Sequence, residues 1–402
     1  MSLTRYIAWL ALWFCTAASA QDNSVEQRLD AIRARLTTGD ANASPLFLST
    51  EDRRLVFSRN QAFLPTRDII AGDTVWSLEP QTIDLSDLTY TVDDQTYTLA
   101  TFLMQEPLMG LVVARDHALL YEHYADDHGP EALWVSFSVT KSVTSMLVGA
   151  AIADGFIDSI DDQVEAYLPR LRGTPYGAVK LKHILQMASG IAWNEDYANP
   201  ESDVAKAGAF QGVALTEYLA KLSVAHEPGE VFNYNTGETN LVGEVLRAAI
   251  GNNASTYLST KIWQAFGMES NAVWLIDQPG GGEAGGCCIS ATVRDYARLG
   301  LFAYRGGELD DGTQVLPPGW MDASTTPSSG NPGYGFLWWM RGLGTFSASG
   351  IFGQLIHVDP ETGVVVATHS NAPAAVDTEY QRHLAAVAQA IVQHFRHNDA
   401  IQ

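Results

Sequence analysis

The chain has 402 residues, 46% of them hydrophobic and 17% charged, with 46 acidic against 24 basic side chains and a formal net charge of -22. That length and apolar content allow a substantial core and exclude a disordered or low-complexity protein. A surface so rich in carboxylates repels polyanions, which excludes nucleic-acid binding and docking on anionic lipid.

The first twenty residues read as a leader. Arg5 gives a positive start, residues 7–15 an apolar run, and Ala18-Ser19-Ala20 a small-residue cleavage pattern, so the sequence predicts export, periplasmic or secreted, with cleavage after Ala20. Bulky Phe14 before Cys15 argues against a lipid anchor. Beyond residue 20 no stretch is long and apolar enough for an integral membrane span. With Cys15 gone, only Cys287 and Cys288 remain, expected as two small buried thiols because neighbours in sequence can close only a strained ring. His394 and His397 stand one turn apart with no Cys or carboxylate pattern of site-like spacing, so no metal is expected.

In chain order, residues 25–36 place Val25, Leu29, Ile32 and Leu36 on one helical face, within an N-terminal extension over 21–105 that carries little further signal. From Gly110 the pattern is a hairpin: Leu111-Val112-Val113-Ala114, a turn at Arg115-Asp116-His117, and Ala118-Leu119-Leu120-Tyr121 returning. An apolar helix follows from near Ser138 to before Asp154-Gly155. Helical stripes continue at Leu215, Tyr218, Leu219 and Leu222 and at Leu241, Val242, Val245 and Leu246, with Gly251 as a stop. Strand signals return at 334–340, 354–358 and 364–369, and a final helix spans about 377–397. These patterns predict an α+β domain over 106–402: an antiparallel sheet from about 106–137 and 272–402, flanked by helices, with a helical lobe inserted over about 138–271 and a cleft where the two meet.

Ser138-Val139-Thr140-Lys141 has S-x-x-K form, and its i, i+3 spacing puts hydroxyl and amine on one helical face. Lys141 is the only charged residue between Leu133 and Ala153. Burial in such a run disfavours the ammonium and lowers its pKa, which supplies a neutral amine able to take the proton of Ser138. Downstream, Pro228-Gly229-Glu230-Val231-Phe232-Asn233-Tyr234-Asn235 is a loop feeding a helix that starts near Glu238, with Tyr234 as a candidate proton carrier. No G-x-S-x-G elbow occurs, so the α/β-hydrolase template is unsupported.

Together with Leu185-Gln186-Met187-Ala188-Ser189-Gly190, Asp295-Tyr296-Ala297-Arg298-Leu299-Gly300, Tyr334-Gly335-Phe336 and Gly353-Gln354, these motifs resemble the serine β-lactamase and penicillin-binding-protein superfamily. The resemblance runs from about Gly110 to the final helix and is strongest to the class C and esterase-like branch that contains 6-aminohexanoate-dimer hydrolase. It implies a β-lactamase/transpeptidase-like fold and an acyl-enzyme on Ser138, with Lys141 and Tyr234 moving protons and no cofactor. It also implies an oxyanion hole from the backbone N–H groups of Ser138 and Ile351, and substrate contacts from Asn235, Thr236, Ser349, Gly350, Trp193 and Trp338. Two positions depart from the superfamily's motifs. Thr236 replaces the usual Asn of Tyr-x-Asn, and Ala348 stands where Lys or His is usual before Ser349-Gly350, which weakens the case for binding a substrate carboxylate. The reading is therefore a serine carboxylesterase or amidase acting on a small-molecule ester or amide. A D-Ala-D-Ala carboxypeptidase or β-lactamase on the same fold is the first alternative, and a non-catalytic binding or sensor protein the second.

Overall fold

In the computed structural model, residues 25–35, 46–104, 107–125, 127–208, 210–251 and 253–399 are described. The leader expected at 1–20 lies outside them. The strands that matter here are β1 (Thr66–Ile69), β2 (Glu79–Pro80), β3 (Leu108–Arg115), β4 (Ala118–Tyr124), β5 (Trp134–Val135), β6 (Ala272–Leu275), β7 (Ile289–Ala291), β8 (Trp339–Met340), β9 (Phe346–Gly350), β10 (Gln354–Val358) and β11 (Val364–Ser370). The helices are α1 (Val139–Ala153), α2 (Thr236–Ile250), α3 (Val293–Tyr304) and α4 (Thr378–Asp399).

Seven strands form the main sheet in the order β8-β9-β10-β11-β3-β4-β2, antiparallel except where β2 runs parallel to β4. Its central strands β3 and β11 are buried along almost their whole length because both faces are covered. Side chains alternate between the faces. Val112, Ala114, Val365 and Ala367 meet Ala297 and Leu301 of α3 in one core, while Leu111, Val113, Val364 and Val366 meet Leu384 and Ile391 of α4 in another. Gly300 lets α3 lie close to the sheet, since a Cβ there would fall 2.5 Å from Val365 Cγ1.

The hairpin, the apolar helix, the returning strands and the long last helix all form where the sequence pattern puts them. The expected strand over 334–340 is shorter than its pattern. Leu337 has φ 62°, which breaks the extended run and leaves only Trp339–Met340 paired. The extension over 21–105, opaque in sequence, is built into the fold. Its strand β1 pairs antiparallel with β6 in a second sheet of order β1-β6-β7-β5, and Phe57 packs with Trp134, Phe137 and Phe352. Among the described residues no helix is long and apolar enough to cross a membrane.

Candidate active site

Ser138 is the N-cap of α1, 9% exposed at the floor of a cleft of about 590 Å³. The residue before it, Phe137, has φ 45°, a left-handed conformation that costs a bulky side chain about 1–3 kcal/mol. Packing holds it there: its ring lies 4.9 Å from that of Phe57 and 5.4 Å from that of Phe352. Phe352, itself at φ 60°, ends the turn after β9 and carries the guanidinium of Arg53 4.7 Å above its ring. Arg53 is buried and donates to the carbonyls of Leu48, Ala372 and Pro373 and to Asn371 Oδ1. Both strained residues beside Ser138 are thus braced by the N-terminal segment.

One helical turn on, Lys141 Nζ reaches 3.0 Å from Ser138 Oγ and also donates to Gly286 O (2.8 Å) and Thr236 Oγ1 (3.2 Å). The side chain is 1% exposed. Burial pulls its pKa down to about 8, while the charge of Glu195 opposes the fall. Near neutral pH a usable fraction of the amine is then unprotonated and able to accept a proton from the serine it touches.

Tyr234 is half-buried, with Lys141 Nζ 5.4 Å from its ring centre and the indole of Trp339 stacked on it at 5.8 Å. Burial raises the phenol above its ordinary value, and a side-chain hydrogen bond with Ser138 opposes the rise. The phenol therefore keeps its proton and can donate it. Its loop is fastened from below. Asn235 caps α2 by accepting from Glu238 N at 2.9 Å, and its amide donates to Tyr176 and to Glu238. Ser189 and Tyr176 also donate to Glu238 Oε1, while Glu238 Oε2 finds no partner among the described residues. Burial pushes this carboxyl up to about 8, so it is held as a neutral acid at pH 7.

The strand side of the cleft is β9. Ser347 and Ser349 line the cleft, whereas Ala348 between them turns into the core. A Cβ on Gly350 would fall 2.5 Å from Ser136 O and 3.2 Å from Ser138 N, so only glycine lets the strand end approach the backbone of Ser138 this closely. Ile351, the expected second oxyanion donor, lines the same cleft beside Ser138.

Several sequence expectations are redirected. Trp338 is 1% exposed in the core, and its neighbour Trp339 lines the cleft, because Leu337 reverses the local alternation. Trp193 packs over Gly237 and donates to Glu195, away from the cleft lining. Asn235 and Thr236 are buried and serve the loop and Lys141 instead of the open cleft. Cys287 and Cys288, expected as separate thiols, have their sulfurs brought together next to Gly286, the carbonyl partner of Lys141, with the peptide between them cis.

Sequence reasoning missed Glu195, Tyr197 and Arg341. Glu195 accepts from Thr236 N (3.0 Å), from the Thr236 hydroxyl and from Tyr197 OH (2.6 Å), which links it through Thr236 to Lys141. Tyr197 lines the cleft. Arg341, just past β8, donates from Nε to Ser347 Oγ (2.9 Å) and from Nη2 to Ser349 Oγ (3.1 Å), with Cζ 5.1 Å from the Trp339 ring centre. No local motif marks these three: Glu195 meets Thr236 across 41 residues, and Tyr197 and Arg341 meet their partners across short loop separations that no helix or strand period encodes.

The Beta-lactamase family model matches residues 99–390, and the chain belongs to that family. It is 29% identical over 344 residues to a 6-aminohexanoate-dimer hydrolase of Paenarthrobacter ureafaciens, covering 80% of this chain and 86% of the relative. Among solved structures it resembles a Bacillus anthracis protein provisionally named 6-aminohexanoate-dimer hydrolase (TM-score 0.76, 21% identity, 86% of this chain and 95% of the other). It also resembles a family VIII carboxylesterase (TM-score 0.55, 16% identity, 71% and 93%). The protein is accordingly a serine hydrolase of the β-lactamase/transpeptidase-like fold.

Proposed function

We propose that the protein is an exported carboxylesterase or amidase that works through an acyl-enzyme on Ser138. The observation that carries this reading is the buried amine of Lys141, 3.0 Å from Ser138 Oγ, with its pKa drawn down toward neutrality. Lys141 takes the Ser138 proton as Oγ attacks the carbonyl, and the backbone N–H groups of Ser138 and Ile351 stabilise the oxyanion. Tyr234 gives its proton to the departing alcohol or amine as the C–O or C–N bond breaks, and is re-protonated from Lys141. Water then cleaves the acyl-enzyme by the same proton path in reverse.

The names of the relatives support an amide or ester as the bond cleaved. The leader pattern at 1–20 supports export to the periplasm or beyond. A β-lactamase or D-Ala-D-Ala carboxypeptidase is the weaker reading, because Ala348 turns into the core where those enzymes' motif places a cation. The deciding experiment treats mature protein with a fluorophosphonate probe and screens short-chain esters, aliphatic amides, D-Ala-D-Ala peptides and β-lactams, with Ser138→Ala as the blank. Label on Ser138 and Ser138-dependent turnover of an ester or amide are expected. Label on a different serine, or full activity in the blank, refutes the assignment.

A further inference from the structure

We infer that Arg53 is a positioning residue for the oxyanion hole: through the loop 371–375 it holds the turn Ile351–Gly353, and so keeps the backbone N–H of Ile351 aimed at the carbonyl oxygen under attack. The inference rests on the hydrolase reading for what that N–H stabilises, and one arm of its test is independent of turnover. Arg53 lies in the helix Thr50–Ser58, ahead of the region 99–390 that carries the family match.

Arg53 is a buried cation held by neutral groups. It is 4% exposed, and among the described residues no carboxylate opposes the downward pull of burial on its pKa. Taking a guanidinium out of water is costly unless its donors are satisfied. Here all three nitrogens are engaged: Nη1 donates to Leu48 O (2.8 Å), Nε to Asn371 Oδ1 (3.2 Å), and Nη2 to Thr50 Oγ1 (3.1 Å) and to the carbonyls of Ala372 and Pro373 (both 3.0 Å). Asn371, Ala372 and Pro373 belong to one loop, and Asn371 answers by donating from Nδ2 to Thr50 O (2.8 Å). The cation is thus spent on tying that loop to the helix Thr50–Ser58.

The same loop grips the oxyanion turn. Phe352 N donates to Ala375 O (3.0 Å) and Ala372 N donates to Phe352 O (3.1 Å), so both backbone polar groups of Phe352 are fastened to it. The fastening matters because Phe352 sits at φ 60°, a conformation that a bulky side chain leaves when nothing holds it there. The guanidinium also covers the Phe352 ring, with Cζ 4.7 Å from its centre, and Phe57, one helical turn on from Arg53, packs against that ring at 5.2 Å. If the turn relaxes, Ile351 moves with it while Ser138 stays on α1, and the two N–H donors no longer converge on one oxygen. A misplacement of about 1 Å is enough to cost on the order of 10²-fold in rate. Arg53 touches neither Ser138 nor the cleft, so its effect passes through the turn alone.

The test measures kcat and KM for a neutral short-chain ester, p-nitrophenyl butyrate, and amide hydrogen exchange on the same preparations of wild type, Arg53→Met and Arg53→Lys. Rates are expressed per folded molecule, with the folded fraction taken from urea unfolding curves, so that a loss of stability by itself leaves kcat unchanged. Arg53→Met should lower kcat at least roughly tenfold with little change in KM, and the pH at which kcat/KM levels off should not move, because Lys141 is untouched. Arg53→Lys keeps a buried donor for part of the loop and should recover part of the loss; if Arg53→Met does not fold, Arg53→Lys carries the comparison with the wild type. Exchange at the amides of Phe352 and Ala372 should speed up at least roughly tenfold in Arg53→Met while the amides of α1 keep their protection. A wild type without Ser138-dependent turnover counts against the hydrolase reading, and exchange then decides by itself whether Arg53 holds the turn. Unchanged kcat per folded molecule, a rise in KM without a fall in kcat, or turn amides that exchange as slowly as in the wild type overturns the proposal.

Discussion

Replacing Lys141 by Met separates the catalytic lysine from a merely structural one, because the two roles move activity and stability in opposite directions. Burial lowers the folded-state pKa from 10.5 to about 8. Between those values the unfolded chain binds the proton and the folded protein does not, so stability rises with pH through the window. It is complete above 10.5 and lost as pH falls to 8. The shift corresponds to about 3 kcal/mol of destabilisation at pH 7. Lys141→Met removes that penalty but leaves Gly286 O and Thr236 Oγ1 without their donor, at about 1–3 kcal/mol for a buried acceptor. The variant should therefore be as stable as the wild type at pH 7, or slightly more so. Urea unfolding at pH 7 and pH 10 gives the sharper comparison: the wild type should gain about 2 kcal/mol more than the variant over that interval. In parallel, kcat/KM of the wild type should climb up to about pH 8 and level off, while the variant loses at least roughly 100-fold. A variant that is strongly destabilised at pH 7 and keeps near-wild-type kcat/KM would show that the amine is a structural cross-link and not the base.

Two further changes test the surrounding machinery. Tyr234→Phe deletes one hydroxyl, and it should depress amide hydrolysis by at least about tenfold more than hydrolysis of an activated ester, whose leaving group needs no proton; equal small losses on both substrates would assign Tyr234 to packing. Glu238→Gln copies the neutral acid that burial maintains. The wild type should lose about 3 kcal/mol more stability than this variant between pH 5 and pH 7.5, because the group's raised pKa means stability is full below 4.5 and drains as pH rises toward 8. Identical pH dependence in the two proteins, read from urea midpoints, would contradict the neutral carboxyl.

Local order was legible without coordinates. The alternation of β3, the buried run of α1, the stop at Gly251 and the S-x-x-K spacing follow from periodicities of 2 and 3.6 residues, and a lone lysine in an apolar helix announces its lowered pKa by composition alone. Resemblance to the superfamily strengthened Tyr234 and added Ser349, Gly350 and Ile351, and all four line the cleft. Choices between neighbours were not legible. Trp339 and not Trp338 lines the cleft because Leu337 takes a left-handed turn that no periodicity encodes. Glu195 meets Thr236 across 41 residues and Arg53 meets Asn371 across 318, contacts set by how loops close on the sheet, while Arg341 meets Ser347 and Ser349 across only 6 and 8 residues that no helix or strand period links. Sequence alone determined which residues could do the chemistry, since reactivity resides in residue type and short spacing. Only the tertiary structure decided what surrounds them: which carboxylate stands behind the Lys141–Thr236 contact, and which segment braces the strained Phe137. Burial, charge pairing and strain are properties of a packed volume, and a linear pattern does not carry them.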